Sequence, residues 1–402
     1  MIKPLIFELC QHTPLLHFHA VQEGATLRAS EVKPRFDRWL IDKVWKGDFE
    51  KCKRYLIGYG NKKEDDLRAD FVAGFRALNY KMRIIVEGER KIEKSHDLGK
   101  KDNMVSVCPM YFGNETNTVF ATNKVVIVLT EATKKLQMEE RFMEKCFIEF
   151  INSHNFGARS SKGYGSFTIG VPSIKPCISL SKDLDWRGVM NRIDLFYKTI
   201  RSGINFMSKD KTQGYYFKSM LYSYAQEKYK GSQWDKKVIK DLIMDKKTDS
   251  NKIDVRDFMG FSTIEKWGAY KTTISKSIKG IKRFASPIVF KPFKDKEDNW
   301  KVFLIINEIP NNLKNKEVVI KAESKSGVKT FNGMKTASDF SVKDYFEYLF
   351  IKKPEKISDA DWLTAADIKS RFEKGKNMGN QHQKQINNIV DFYKKLREAY
   401  KM

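Results

Sequence analysis

The feature that most constrains this chain is a switching period. Between residues 2 and 171 the spacing of apolar side chains alternates between two and about three and a half. Residues Ile2 to Leu9 read as a strand, with Ile2, Leu5, Ile6 and Phe7 among its apolar positions. A helix follows Ser30, expected as its N-cap, because Val32, Phe36, Trp39, Leu40 and Val44 fall on one face. Pro34 is expected in the first turn, where its missing N–H does no harm. The charged run Lys62 to Arg68 reads as an exposed loop. Met82, Ile84 and Val86 then alternate with Lys81 and Arg83, the signature of a half-buried strand, and Val119 to Thr130 is a second strong strand. Helical spacing returns from Thr133 to Asn152 through Leu136, Phe142, Met143, Phe147, Phe150 and Ile151. A glycine-rich loop then leads into a short strand, Phe167 to Val171.

This order, strand-helix-strand-strand-helix-strand, predicts an α+β fold of the ferredoxin-like or RRM type over residues 1–175. Beyond it the pattern changes. Arg187 to Phe206 and Tyr215 to Lys230 read as helices, and Pro287 to Phe293 and Trp300 to Ile306 as a hairpin turning through Lys294 to Asn299. Val318 to Ala322 reads as a strand, and Tyr345 to Phe350, Asp361 to Phe372 and Gln381 to Tyr400 as closing helices. Residues 176–402 are therefore expected to form a second, more helical lobe.

Charge narrows the partners. Of 402 residues, 75 are Lys or Arg and 50 are Asp or Glu, a formal +25 that favours polyanions, nucleic acid first among them. Cys10, Cys52, Cys108, Cys146 and Cys177 stand far apart, which argues against both a disulfide framework and a zinc knuckle and fits a reducing cytoplasm. The start, Met1-Ile2-Lys3-Pro4, lacks the apolar core of a signal peptide, and no apolar run is long enough to span a membrane.

The loop Gly157-Ala-Arg-Ser-Ser-Lys-Gly-Tyr-Gly-Ser166 carries the most chemistry. Gly157, Gly163 and Gly165 permit positive φ and close backbone approach, and exposed amides in such a loop can cradle an anion. Arg159 and Lys162 add charge, Ser160, Ser161 and Ser166 add hydroxyls, and Tyr164 offers a stacking face: a set suited to a sugar-phosphate backbone. It is neither a P-loop nor a dinucleotide fingerprint, because it precedes a strand instead of opening a helix. A glycine-rich connection needed only for a tight turn is the plainer alternative. Arg28, Ser30, Lys33, Arg35 and Arg38 surround a helix N-terminus, a second phosphate-friendly place. Lys282 and Arg283 lie in a basic turn ahead of the later hairpin.

Catalytic signatures are sparse. His12, His17 and His19 include candidates for a general base in RNA cleavage, but their spacing is not that of a metal-binding helix and no acidic partner is nearby. They read as loop or hydrogen-bonded histidines. No catalytic residue, metal or cofactor is assigned from the sequence.

Three segments, in order, resemble a known family. Thr13-Pro14 with Leu27-Arg-Ala-Ser-Glu-Val-Lys-Pro-Arg-Phe-Asp-Arg-Trp39, then Gly157 to Gly165, then Arg283 to Ile288 resemble the RAMP superfamily of CRISPR-associated proteins. Within it the likeness is greatest to the first-numbered Cmr subunit of type III-B effector complexes. Two departures stand out: His17-Phe-His19 where paired glycines are the family's habit, and Val32-Lys-Pro34 in place of Ile-Lys-Gly. The resemblance implies a double RAMP protein in antiviral defence, binding guide RNA near its 3′ end and target RNA among other RAMP subunits. It implies no cleavage activity of its own. A guide-processing endoribonuclease of the same superfamily, and a generic basic interaction module, are the alternatives.

Overall fold

Strand β1, Leu5–Gln11, points Phe7 and Leu9 inward and leaves Ile6, Glu8 and Cys10 outside, the alternation that a sheet with one covered face imposes. The computed structural model describes residues 4–16, 26–94, 118–131, 140–173, 175–207, 214–229, 235–247, 251–261, 263–267, 270–325, 327–352 and 380–401. They form two compact units. The first takes residues up to 174 together with Ser179–Met190 and Lys291–Val302; the second takes Lys175–Ile178, Asn191–Phe290 and Phe303 onward. The first stretch of the first unit ends at residue 174, and the chain re-enters that unit twice after it.

In the first unit, β1 is followed by β2 (Leu15–Leu16), α1 (Ala29–Trp39), a π turn (Leu40–Val44), α2 (Phe49–Cys52), α3 (Glu64–Val72), β3 (Tyr80–Lys94), β4 (Thr118–Glu131), α4 (Glu140–Ser153) and β5 (Phe167–Thr168). Every pairing is antiparallel, and β1 lies between β4 and β5 while β3 lies on the far side of β4. The register sets apolar side chains in rows across three strands: Leu5, Leu129 and Met82; Phe7, Ile127 and Ile84; Leu9, Val125 and Val86. Helices α1 and α4 supply the facing side chains. Phe147 packs at 4.6 Å from Phe7 and 5.0 Å from Phe36, and Phe36 meets Phe150 at 5.1 Å.

Two local expectations change. Helix α1 begins two residues earlier than expected, with Arg28 as the N-cap, so Pro34 falls in the second turn. The run expected as a loop at Lys62 to Arg68 mostly enters α3. Its first turn carries Glu64, Asp65 and Asp66, which suit the positive end of the helix dipole, and Leu67 and Phe71 bury one turn apart. The second apolar helix is described from Glu140, and the Leu136 assigned to it lies outside the described residues.

The second unit mixes helix and sheet. Helix α5 runs from Trp186 to Arg201, but Gly203, at φ 78°, ends the helical stretch, and Ile204–Met207 and Gly214–Phe217 pair as strands β7 and β8. Earlier in the chain, β6 is Cys177–Leu180. Helices α6 (Met220–Lys228) and α7 (Asp235–Ile243) precede β9 (Lys252–Asp254), β10 (Ile264–Trp267) and β11 (Thr272–Ile278). The expected hairpin is present as β12 (Ile288–Lys294) and β13 (Trp300–Ile306), in one sheet with β6; its Lys291–Val302 part is counted with the first unit. Strands β14 (Glu317–Ser324) and β15 (Gly327–Thr336) complete a five-stranded sheet in the order β10-β11-β14-β15-β9. Beside its helices the unit thus carries more strand than its sequence suggested. The strand β11 hides its alternation: Ile274 and Ile278 face inward, but a lysine, Lys276, holds the buried position between them. Helix α8 (Val342–Glu347) and α9 (Asn380–Lys401) close the described chain, and Phe196 stacks on Phe392 at 4.9 Å. The helix expected at Asp361 to Phe372 lies outside the described residues.

Because Phe147 is fully buried between β1 and α1, Phe147→Ala is expected to destabilise the first unit by about 3 to 5 kcal/mol. Urea unfolding followed by tryptophan fluorescence measures it, Trp39 and Trp45 both belonging to that unit.

Candidate nucleic-acid interface

The loop between α4 and β5 is held down by the short connection between β1 and β2. The Thr13 hydroxyl donates to the Gly163 carbonyl at 2.6 Å and accepts from the Ser166 amide at 2.9 Å. The Gly165 amide donates to Pro14 O at 2.9 Å and the Ala158 amide to Leu16 O at 2.8 Å. So close an approach requires glycine at two positions. A Cβ on Gly165 would stand 1.9 Å from the Phe156 carbonyl oxygen, and one on Gly157 would stand 2.5 Å from that of Leu16.

Helix α1 holds the loop's entrance. Glu31 Oε1 accepts from the Gly157 amide at 2.6 Å, while Arg35 donates to Asn155 O at 2.8 Å and lays its guanidinium over the Phe156 ring. Asn155 in turn donates to Ser160 O at 2.7 Å. Between these anchors Arg159 takes left-handed backbone, φ 55°, and Ser160–Lys162 form a single 3₁₀ turn. Arg159, Ser160, Ser161 and Lys162 are half-buried there.

The amides of Gly157, Ala158, Lys162, Gly163, Gly165 and Ser166 all donate within the protein. The backbone cradle expected from the glycines is therefore largely filled from inside. Tyr164 is 1% exposed, so the stacking face assigned to it is covered.

On α1 the basic residues divide. Arg28, Ser30 and Arg38 are exposed. Lys33 donates to Asp37 at 2.7 Å and to Leu78 O at 2.8 Å, with its ammonium over the Tyr80 ring. Lys33 and Arg35, both expected as phosphate ligands, instead tie α1 to the start of β3 and to the loop.

With this geometry in place, the chain was compared with known protein families. The Cmr1 N-terminal domain matches residues 2–204, and the Cmr1 C-terminal domain matches residues 216–370. The chain belongs to the Cmr1 family. It is a CRISPR-associated RAMP protein, of the kind that forms a subunit of type III-B effectors. No curated protein matches it. No helix among the described residues is long and apolar enough to cross a membrane.

The remaining Cmr1 features fall within single units. In the second unit, Lys282 and Arg283 are exposed beside a tight turn where the Ile281 amide donates to Ile278 O at 2.9 Å. Ser286, three residues on, accepts from the Tyr197 hydroxyl at 2.9 Å and so fixes the start of the hairpin. In the first unit, sequence reasoning missed Lys291. Its side chain is fully buried and donates to Phe167 O at 2.7 Å and His154 O at 2.8 Å, bracing both ends of the loop. Burial, and then the charge of Arg35, push its amine well below the usual lysine range. Nothing local marks it, because its partners lie 124 and 137 residues upstream.

His12 is placed against a catalytic role. Its Nδ1 accepts from the Lys294 amide at 3.1 Å, which puts the proton on Nε2, 2.8 Å from Thr168 Oγ1. Burial, then the charges of Lys291 and Lys294, lower its pKa to about 3. With both nitrogens engaged it has no lone pair to offer a substrate. His17 and His19 lie outside the described residues.

Gly165→Ala is expected to cost about 3 kcal/mol, whereas Gly170→Ala, at φ 64° in open space, costs about 1 kcal/mol. Equal urea midpoints for the two variants would show that the close approach at Gly165 is not needed. His12 and His154 both titrate low in the folded state, at about 3 and about 4, so the unfolded chain binds more protons between those values and pH 6.5. Stability is then full above pH 6.5 and falls with acidification, by about 1 to 2 kcal/mol per histidine at pH 5. The fall should be shallower in His12→Gln, and parallel curves would count against the placement.

Proposed function

We propose that this Cmr1 protein binds RNA as a non-catalytic structural subunit of a type III-B effector, contacting guide RNA near its 3′ end, target RNA, or both, beside other RAMP subunits in antiviral defence. The single observation that carries the reading is the 3₁₀ turn Ser160–Lys162, held rigid from three sides with Arg159 and Lys162 on it and exposed Arg28 on the adjoining helix start. A pre-ordered basic turn meets a phosphate backbone without losing loop entropy on binding. The formal charge of +25 adds long-range attraction. The strand order β5-β1-β4-β3, with α1 and α4 on one face, supports reading the first unit as ferredoxin-like. Lys282 and Arg283 are proposed as a second RNA-binding point, in the other unit. The assignment of no enzymatic role rests on the engaged nitrogens of His12.

Charge reversal of Arg159 and Lys162 to Glu is expected to weaken binding of guide-length single-stranded RNA at least ten-fold. It should also reduce the slope of log affinity against log salt by about 0.7 for each phosphate that the protein no longer neutralises. An unchanged affinity and slope would reduce the loop to a structural turn. Metal-independent cleavage of repeat RNA that His17→Ala abolishes would overturn the non-catalytic assignment.

A further inference from the structure

Six charged side chains of the second unit meet in one cluster, and their charges do not balance. Asp235 opens α7, Asp254 ends β9, Arg256 and Asp257 lie in the 3₁₀ turn Arg256–Met259, Glu265 is on β10 and Lys276 is on β11. Asp235, Asp254, Arg256, Asp257 and Lys276 are each no more than 4% exposed. Lys276 Nζ stands 2.6 Å from Asp235 and 3.1 Å from Asp257, and the Arg256 guanidinium stands 2.6 Å from both Asp235 and Glu265. Four carboxylates thus face two cations. Lys236, the next residue of α7, donates its amine to the Ser202 carbonyl at 2.8 Å and feels the charges of Asp235 and Glu265 as well.

Asp254 is where the excess collects. One of its oxygens accepts from the Arg256 amide at 2.9 Å; the other, Oδ2, is buried and meets no donor among the described residues. Carboxylate oxygens of Asp235, Asp254 and Asp257 lie within 4.8 Å of one another. Both cations of the cluster are already engaged by Asp235, Asp257 and Glu265. An ionised oxygen in such a position carries the heavy penalty of any uncompensated buried charge.

We propose that Asp254 is held as a carboxylic acid that donates its proton to Asp257, so that the second unit folds around a hydrogen bond between the two side chains. The proton gives Asp254 Oδ2 the bond it lacks and removes one negative charge from the cluster. Burial, and then the neighbouring Asp257 charge, push Asp254 well above the usual carboxylate range. Asp235 goes the other way. Burial alone would raise it, but Arg256 and Lys276 outweigh burial and hold it below that range.

A carboxyl raised in the folded state binds its proton more readily there than in the unfolded chain, so its contribution is full below pH 3.8 and is lost as pH rises towards the folded value. Asp254→Asn keeps a donor at that position at every pH. In the full-length chain between pH 5 and 8, the unfolding constant of the variant relative to wild type should fall as pH rises, by up to about ten-fold per unit. A ratio that does not change with pH overturns the proposal. Should the variant not fold, infrared spectra of the wild type decide: a carboxylic-acid carbonyl band from aspartate at neutral pH supports a shared proton, and its absence overturns it. Millimolar MnCl₂ supplies the competing outcome. Stabilisation of the wild type by manganese without release of a proton would show that the carboxylates are ionised and arranged as a metal site, and would overturn the proposal.

Discussion

A single buried hydroxyl organises the first unit. Thr13, between β1 and β2, bonds to the carbonyl of Gly163 and the amide of Ser166, and so fastens the start of the fold to its last helix-to-strand connection, 150 residues later in the chain. Hydroxyls that satisfy a donor and an acceptor at once are efficient in low dielectric, since each bond strengthens where water is excluded. Around Thr13 the glycines become obligatory, because nothing with a Cβ fits against Phe156 and Leu16. The basic turn is rigid as a result of this packing.

The first unit was legible in the sequence because its strands pack one face only, and period-two patterns are clear when the other face is polar. Met82, Ile84 and Val86 against Lys81 and Arg83 found their partners in β4 as the alternation required. What could not be read was the division of labour among basic residues. Lys33, Arg35 and Arg38 look equivalent in a string, yet an aspartate one turn along takes Lys33, the loop takes Arg35, and Arg38 remains exposed. Tyr164 illustrates the same limit. Its neighbours are polar, and only the fold shows that it belongs to the core.

The second unit was harder to read for a related reason. Its five-stranded sheet buries charge. A strand with Lys276 at an inward position breaks the apolar rhythm, and α7 begins on Asp235, which on helical wheels alone is a solvent-side cap. Strand pairing here crosses large separations, such as β15 beside β9, and no local window carries that information. Only the resemblance in three short segments, with the family domains matched over most of the chain, tied this half to the first.

Lys291 and the strand it belongs to give the order of synthesis a structural meaning. The amine that braces the loop is made 124 residues after Phe167, and Trp300, whose indole donates to Leu184 O at 2.7 Å, follows it. Both belong to the first unit. During translation, the amino-terminal sheet must therefore wait, with its loop unbraced, while the stretch Asn191–Phe290 of the other unit emerges. The protein cannot mature as beads on a string, and a ribosome that pauses before residue 291 exposes a nascent chain whose basic turn has yet to set.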